Sequence, residues 1–509
     1  MKLTFTLIVL CFSLELMAQK AGTFDSSFGV DGKALTLSLY CIGVAGQTDG
    51  SIIAAGNIWS EDSVGFFAIK YTHDGAIDTS FGINGRAYYS DNAGYAIAMA
   101  VQPDNKILVA GYHQEMFEPW YVSIVRFNAD GTTDSSFGNN GNVISDPGRV
   151  YALAVQPDGK ILAEGNDFEK VLTMRFLPDG TPDETFGING KVENNFSNGG
   201  IGYTIAVQPD SKIVIGGRTG TSPFLARYTS SGTLDQSFGS AGKVIYSLSN
   251  ADITDLTLQV DGKIVAVGSI SLMLGDTLNS IVLRSMPDGT LDTGFGDSGI
   301  NEHKFKTRSG LRSVVLQKDG KIVACGSITD LTGKVVHFLL ERYTANGILD
   351  SSFINGGYQI TTLDYIDAPY SVFLQKDEKI VLGGSSETPQ FELEVGIARY
   401  NNDNQSKKQI IVQKIKHYIQ THNNPQATTL SNVSIYPNPA QNILHVEGLS
   451  SSQKTKLTVV DFNGNVAMSH ELRAVSGVYN LNIASLHAGN YMLKIETNGE
   501  VVTKQFVKE

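Results

Sequence analysis

Segments of the form Asp-Gly-x-x-Asp, such as Asp130 to Asp134, put two carboxylates four residues apart and return along the chain. A calcium ion could be held that way, but calcium loops are denser in carboxylates than these segments are. Asp and Gly are also the residues that tight turns demand, and turn geometry accounts for them without a metal. The nine histidines, His73, His113, His303, His337, His417, His422, His445, His470 and His487, are scattered, and none has metal-ligand spacing. There is no Gly-x-Ser-x-Gly elbow, no phosphate loop and no Cys-x-x-Cys. The sequence therefore assigns no catalytic residue, no metal ligand and no cofactor.

The remaining candidates are aromatic and basic. Both tryptophans, Trp59 in "NIWSEDSVG" and Trp120 in "YHQEMFEPW", fall in segments of variable length, with Phe117 beside the second. Surface aromatics of this kind suit stacking on sugars or on a partner's apolar patch, against the plainer reading that they pack their own loops. "KFKTRSGLR" adds Lys304, Lys306, Arg308 and Arg312, set against acidic segments such as "TTLDYIDAPY".

The elements that position these residues are repeats. Gln-Pro-Asp-Gly-Lys-Ile or a variant starts at Gln47, Gln102, Gln156, Gln208, Gln259, Gln317 and Gln375. A basic residue follows at Lys70, Arg126, Arg175, Arg227, Arg284, Arg342 and Arg399, next to an aromatic except at Ser285. Asp-x-Ser-Phe-Gly or a variant places its Phe at Phe28, Phe81, Phe137, Phe186, Phe238, Phe295 and Phe353. The period of about 54 residues falls in the range of propeller blades. Each unit reads as four strands with Pro, Gly, Asp and Asn at the turns. "YAIAMAVQ", with small Ala96, Ala98 and Ala100, is the innermost.

The predicted fold is all-β, a seven-bladed propeller over residues 24–401. The last unit runs into "NNDNQSKKQ" without an outer strand, and "DSSFGVDGKALTLSL" at the front supplies it. Asp25 should then lie beside Arg399, because in the other repeats the basic residue and the Asp are eight apart. Closing the ring with Asp25, Phe28 and Arg399 also removes an exposed sheet edge. The distance from the basic residue to the last Gly of the turn is constant. All length variation therefore falls on the opposite face, which becomes the candidate binding face.

These repeats resemble the delta-60 repeat family, a resemblance that implies a propeller and no activity. Residues 1–18 have the three-part pattern of a secretory signal peptide, and residues 402–431 form a basic linker. Residues 432–509 read as a small C-terminal β-sandwich of Ig-like type. Tyr436, Pro437, Asn438, Pro439, Asp461, Gly464, Leu486, Gly489, Tyr491 and the stretch from Lys504 resemble the C-terminal sorting domain of type IX (Por) secretion. That resemblance implies a Gram-negative owner, recognition by the type IX machinery, and release or surface attachment.

With 39 Lys and Arg against 51 Asp and Glu, the net charge is −12. So acidic a ring is unsuited to nucleic acid, and no transmembrane segment is expected in the mature chain. The expected function is a secreted or surface-attached, non-enzymatic module that binds protein or glycan on the variable face. The alternatives are an extracellular carbohydrate-active hydrolase or lyase with carboxylates near the axis, and a purely structural surface protein.

Overall fold

The computed structural model describes residues 20–403 and 433–509, apart from 38, 61–62, 91–93, 115–117, 169, 197, 272–277, 450–453, 462–465, 474–477 and 498–499. The signal-peptide segment and nearly all of the basic linker lie outside the described residues. The chain divides into two compact units at residue 410.

The first unit is an all-β propeller. Among the described residues it holds seven four-stranded antiparallel sheets, six of them continuous in sequence. The seventh takes three strands from residues 366–400 and its outer strand, Lys33–Leu37, from the front of the chain. Lys33 pairs with Ala398 and Leu37 with Glu394. The ring also closes at its centre, where the first blade's inner strand, Tyr40–Gly46, packs on the last blade's inner strand, Ile366–Leu374.

One glycine per repeat shapes the inner strands. At Gly56 an added Cβ would sit 1.9 Å from the carbonyl oxygen of Tyr40, and at Gly326 1.9 Å from that of Gly310. This close approach accompanies a β-bulge in all seven inner strands, between Cys41 and Gly43 in the first and between Leu311 and Ser313 in the sixth. A bulge leaves one residue unpaired and re-aims its side chain. The seven residues so released are Ile42, Ile97, Tyr151, Tyr203, Thr254, Arg312 and Tyr370.

The repeated basic residue, Asp and Phe form a clamp on the face of constant loops. Arg126 Nε lies 2.7 Å from Asp134 Oδ2, its guanidinium stands 4.4 Å from the centre of the Phe137 ring, and Nη1 donates to the carbonyl of Pro178 in the next blade. Gly138 N donates to Asp179 O across the same seam. Arg175, Arg227 and Arg284 repeat the arrangement. The Asp130 carboxylate accepts from Thr132 N at 2.9 Å and Thr132 Oγ1 at 2.7 Å, which is turn geometry. At Ser285, where the repeat lacks its aromatic, the Tyr246 hydroxyl fills the space and bonds Ser285 Oγ at 2.5 Å.

The seams are mainly apolar, and Glu164 and Glu341 put carboxyl groups at positions that are apolar in the other repeats. Glu164 is fully buried where the other repeats have Ala55, Ala110, Gly216, Val267, Cys325 and Gly383. Thr173 Oγ1 donates to its Oε2 at 2.6 Å, while Oε1 has no partner. Burial pushes its carboxyl well above the ordinary glutamate range. A buried acid with a raised pKa is fully favourable below its unfolded value, and its contribution is lost as pH rises toward the folded one. Glu164→Gln is therefore expected to raise the melting temperature at alkaline pH and to flatten the decline, as checked by calorimetry across pH 5–9. An unchanged pH slope would refute it. The second carboxyl group is Glu341.

The second unit has a three-stranded sheet (Ser434–Tyr436, Ile443–Glu447, Val478–Asn482) and a four-stranded one (Lys454–Asp461, Val466–Arg473, Gly489–Thr497, Glu500–Lys508). The sheets share one core, with Leu444, Val446 and Leu481 from the first and Leu457, Leu493 and Phe506 from the second. Tyr436 leads into Pro437, Asn438 and Pro439. Asn438 ties this segment to the last strand, donating to Gln505 O at 3.1 Å and accepting from Val507 N at 2.9 Å. Gly489 opens the neighbouring strand, where Tyr491 stacks on Phe506 and Leu493 pairs with Lys504.

Candidate functional site

The bulged inner strands surround an axial funnel of about 690 Å³, and all seven bulge residues line it. They are of four residue types: isoleucine in blades one and two, tyrosine in blades three, four and seven, threonine in blade five and arginine in blade six. By blade order, Tyr370 of blade seven and Tyr40 of blade one flank one wall, with Tyr151 of blade three and Tyr203 of blade four nearly opposite. Blade five contributes Asp252 and Thr254, and blade six Arg308 and Arg312.

The Tyr40 and Tyr370 hydroxyls bond each other. Burial, followed by the neighbouring Tyr370, raises the Tyr40 phenol above its ordinary range, so it stays a neutral donor. Arg312 stands 5.1 Å from the centre of the Tyr370 ring. Tyr151 and Tyr203 meet edge to face, with ring centres 5.5 Å apart. Asp252 Oδ1 accepts from Ser269 N at 2.9 Å and Ser269 Oγ at 3.0 Å. It is the one carboxylate lining the funnel among the described residues.

Beneath the lining, half-buried Asp255 links three blades: it accepts from Thr204 Oγ1, Leu256 N and Val314 N at 2.8–3.0 Å. Desolvation pushes its carboxyl up to about 6 against those donors. It sits behind the floor and braces the inner strands. Flat aromatic faces, phenol hydroxyls, two guanidiniums and one carboxylate make the funnel a place to hold a polar ligand.

The sequence-predicted residues divide. Arg399 Nε lies 2.7 Å from Asp25 Oδ2, its guanidinium stands over Phe28, and Asp25 also meets Lys379. Trp59 is not in a loop: its backbone extends the strand Ile52–Ser60 and pairs with Val64, because that hairpin turns late. The side chain of Trp59 and all of Phe117 lie outside the described residues. Trp120 is part of a packed cluster, stacked on Phe168 at 5.4 Å, tilted on Tyr112 at 5.8 Å, and covered by Arg149 at 3.1 Å from its ring centre. Arg308 and Arg312 reach the funnel, and Lys304 pairs instead with Glu302. The four tyrosines were missed. A signal was available for Tyr151, Tyr203 and Tyr370: each bulge residue stands five before the repeated Gln, in a column that mixes apolar, aromatic, polar and basic side chains where the flanking columns keep their character.

No helix of the described residues is long and apolar enough to cross a membrane. No curated protein matches the chain. Similar solved structures include Sqt1 from Chaetomium thermophilum, 12% identical over 72% of this chain and 97% of that one, with a TM-score of 0.42. The β-propeller domain of the Trilobed protease from Pyrococcus furiosus is 11% identical over 72% and 95%, with a TM-score of 0.38. Drosophila Semaphorin 2a is 8% identical over 96% and 98%, with a TM-score of 0.38. A family model described as a domain of unknown function (DUF5122) beta-propeller matches residues 47–81, 102–137, 156–186, 208–238, 259–295 and 317–353. A second, the secretion system C-terminal sorting domain, matches residues 434–509. The chain is thus a β-propeller built of DUF5122 repeats and followed by a C-terminal sorting domain of the type IX secretion system.

Proposed function

We propose that this is an exported β-propeller that captures a glycan or protein ligand in its axial funnel without turning it over. The sorting domain supports export through the type IX machinery and a secreted or surface-attached destination. In this reading the owner is a Gram-negative bacterium, residues 1–18 are a signal peptide, 24–401 the propeller, 402–431 a linker and 432–509 the sorting domain.

The observation that carries the binding reading is the funnel lining: seven positions fixed by a repeated backbone feature but occupied by side chains of four different types, from isoleucine to tyrosine, threonine and arginine. A scaffold that holds its backbone constant while varying one ring of residues is arranged for recognition. Hydrolysis of a glycoside ordinarily takes two carboxyl groups facing the bond. Asp252, already bonded to Ser269, supplies one among the described lining residues, which favours holding a ligand over cleaving it. In this reading Trp120, together with Trp59 and Phe117, would serve as an outer contact.

The test is binding of the full chain to an array of glycans and to candidate protein partners, repeated with Tyr151→Ala/Tyr203→Ala. Loss of a central aromatic anchor costs about 2 kcal/mol or more, roughly 30-fold in affinity. The double variant is expected to lose that much while keeping its melting transition. Full affinity in the double variant would remove the funnel from this reading.

A further inference from the structure

The guanidiniums of the funnel differ from those of the clamps. Arg126, Arg175, Arg227, Arg284, Arg342 and Arg399 each have an Asp within 2.9 Å. Arg308 and Arg312 have no carboxylate within 4 Å among the described residues, and both face the cavity. In a chain with net charge −12, two unpaired guanidiniums in one concavity stand out as a place for an anion.

Arg312 is also held ready. Its guanidinium stacks on Tyr370, whose hydroxyl is held by that of Tyr40. That cation–π contact favours one placement of the exposed side chain, and its donors bond no other described residue, so part of the rotamer freedom is already given up before binding. Round the funnel from blade six, through blade five to blades four and three, the chemistry changes. Asp252 can accept from a hydroxyl, and Tyr151 and Tyr203 offer ring faces and edges. An anionic group on the arginines, a hydroxyl beside it on Asp252 and a flat ring against the tyrosines beyond describe an acidic sugar.

We propose that the funnel binds an anionic oligosaccharide, its carboxylate or sulfate paired with Arg312 and Arg308 and its hydroxyls directed to Asp252. This rests on the funnel being the ligand site. Both anionic groups accept from a planar fork, so the two sources are separated by experiment.

The experiment is titration calorimetry of the full chain with hexasaccharides of galacturonate, of a sulfated galactan and of a neutral galactan. At least one anionic hexasaccharide is expected to bind at least tenfold more tightly than the neutral one, and which of them does so identifies the anionic group. Arg312→Gln should weaken that binding roughly tenfold or more, with Arg312→Lys between. Among the described residues Arg312 makes no ion pair, so the variants should melt with the parent. The proposal is overturned if neither anion binds at millimolar concentration, if the neutral sugar binds as well, or if Arg312→Gln leaves the affinity unchanged. Should Tyr151→Ala/Tyr203→Ala abolish binding of a ligand that Arg312→Gln leaves intact, the acidic class falls and the funnel reading stands. If neither substitution matters, both fall.

Discussion

Arg399→Ala is expected to lower the unfolding free energy by about 3–5 kcal/mol, the cost of removing one partner from a buried charge pair. Arg399 is fully buried, where the closing strand meets the last blade. Its Nε lies 2.7 Å from Asp25 Oδ2, while Nη1 donates to His73 O at 2.6 Å and to Gln375 Oε1 at 3.1 Å. One side chain thus joins the front of the chain, the last blade and the first. Lys70→Ala, at the equivalent position of the first repeat, should cost far less, because Lys70 stands 3.7 Å from Asp78 and is partly exposed.

The same joint predicts an acid limit. Burial opposes the charge on Asp25, but hydrogen bonds from Lys379 and Ser27 and the nearby Arg399 outweigh it and hold the carboxyl below its usual range. A depressed carboxyl contributes stability that is present above its unfolded pKa and lost as pH falls through the folded one. Denaturant melts at pH 7 and pH 3 should therefore show the Arg399→Ala deficit shrinking in acid. A deficit below 1 kcal/mol at pH 7 would mean that the ring does not depend on this closure.

Much of this was legible because repetition exposes what a single copy hides. The eight-residue spacing of Arg126 and Asp134 is uninterpretable once and is a clamp when it recurs. The absence of that partner after Arg399 pointed to Asp25. The funnel was harder, since nothing in "RVYALAVQ" says that Tyr151 faces the axis. Strict alternation along that strand would turn it by parity with its neighbours. The bulge opposite Gly165 breaks the alternation, and it accompanies an approach that only glycine allows: a Cβ added there would sit 1.8 Å from the Arg149 carbonyl oxygen. Trp120 attracted notice for its residue type, yet a large aromatic near Arg149 and Phe168 in space is consumed by packing, and neither contact is adjacent in sequence.

The other large effect is expected at Glu341, which lies one residue before the clamp arginine where the other repeats carry Ile69, Val125, Met174, Ala226, Leu283 and Ala398. It is fully buried. His303 Nδ1, from the outer strand of the preceding blade, lies 2.6 Å from its Oε1, and Tyr343 donates its hydroxyl to Oε2 at 2.6 Å. Burial, with the adjacent carboxylate, holds the Tyr343 phenol well above its ordinary range, so it remains a donor. Phe305 and Tyr358 cover the imidazole, with ring centres 4.1 and 5.6 Å away. Removing His303 leaves the carboxylate one donor in an apolar seam. His303→Leu should therefore cost about 3–5 kcal/mol. Returning the seam to the repeat's apolar pattern with His303→Leu/Glu341→Leu should recover much of that loss, and adding Tyr343→Phe should recover more, by removing a buried hydroxyl worth about 1–3 kcal/mol when unpaired. Chemical denaturation of these three variants, with Glu341→Leu alone to complete the cycle, measures the coupling. If His303→Leu and the double variant are equally destabilised, the histidine matters for its shape against Phe305 and not for the charge it meets.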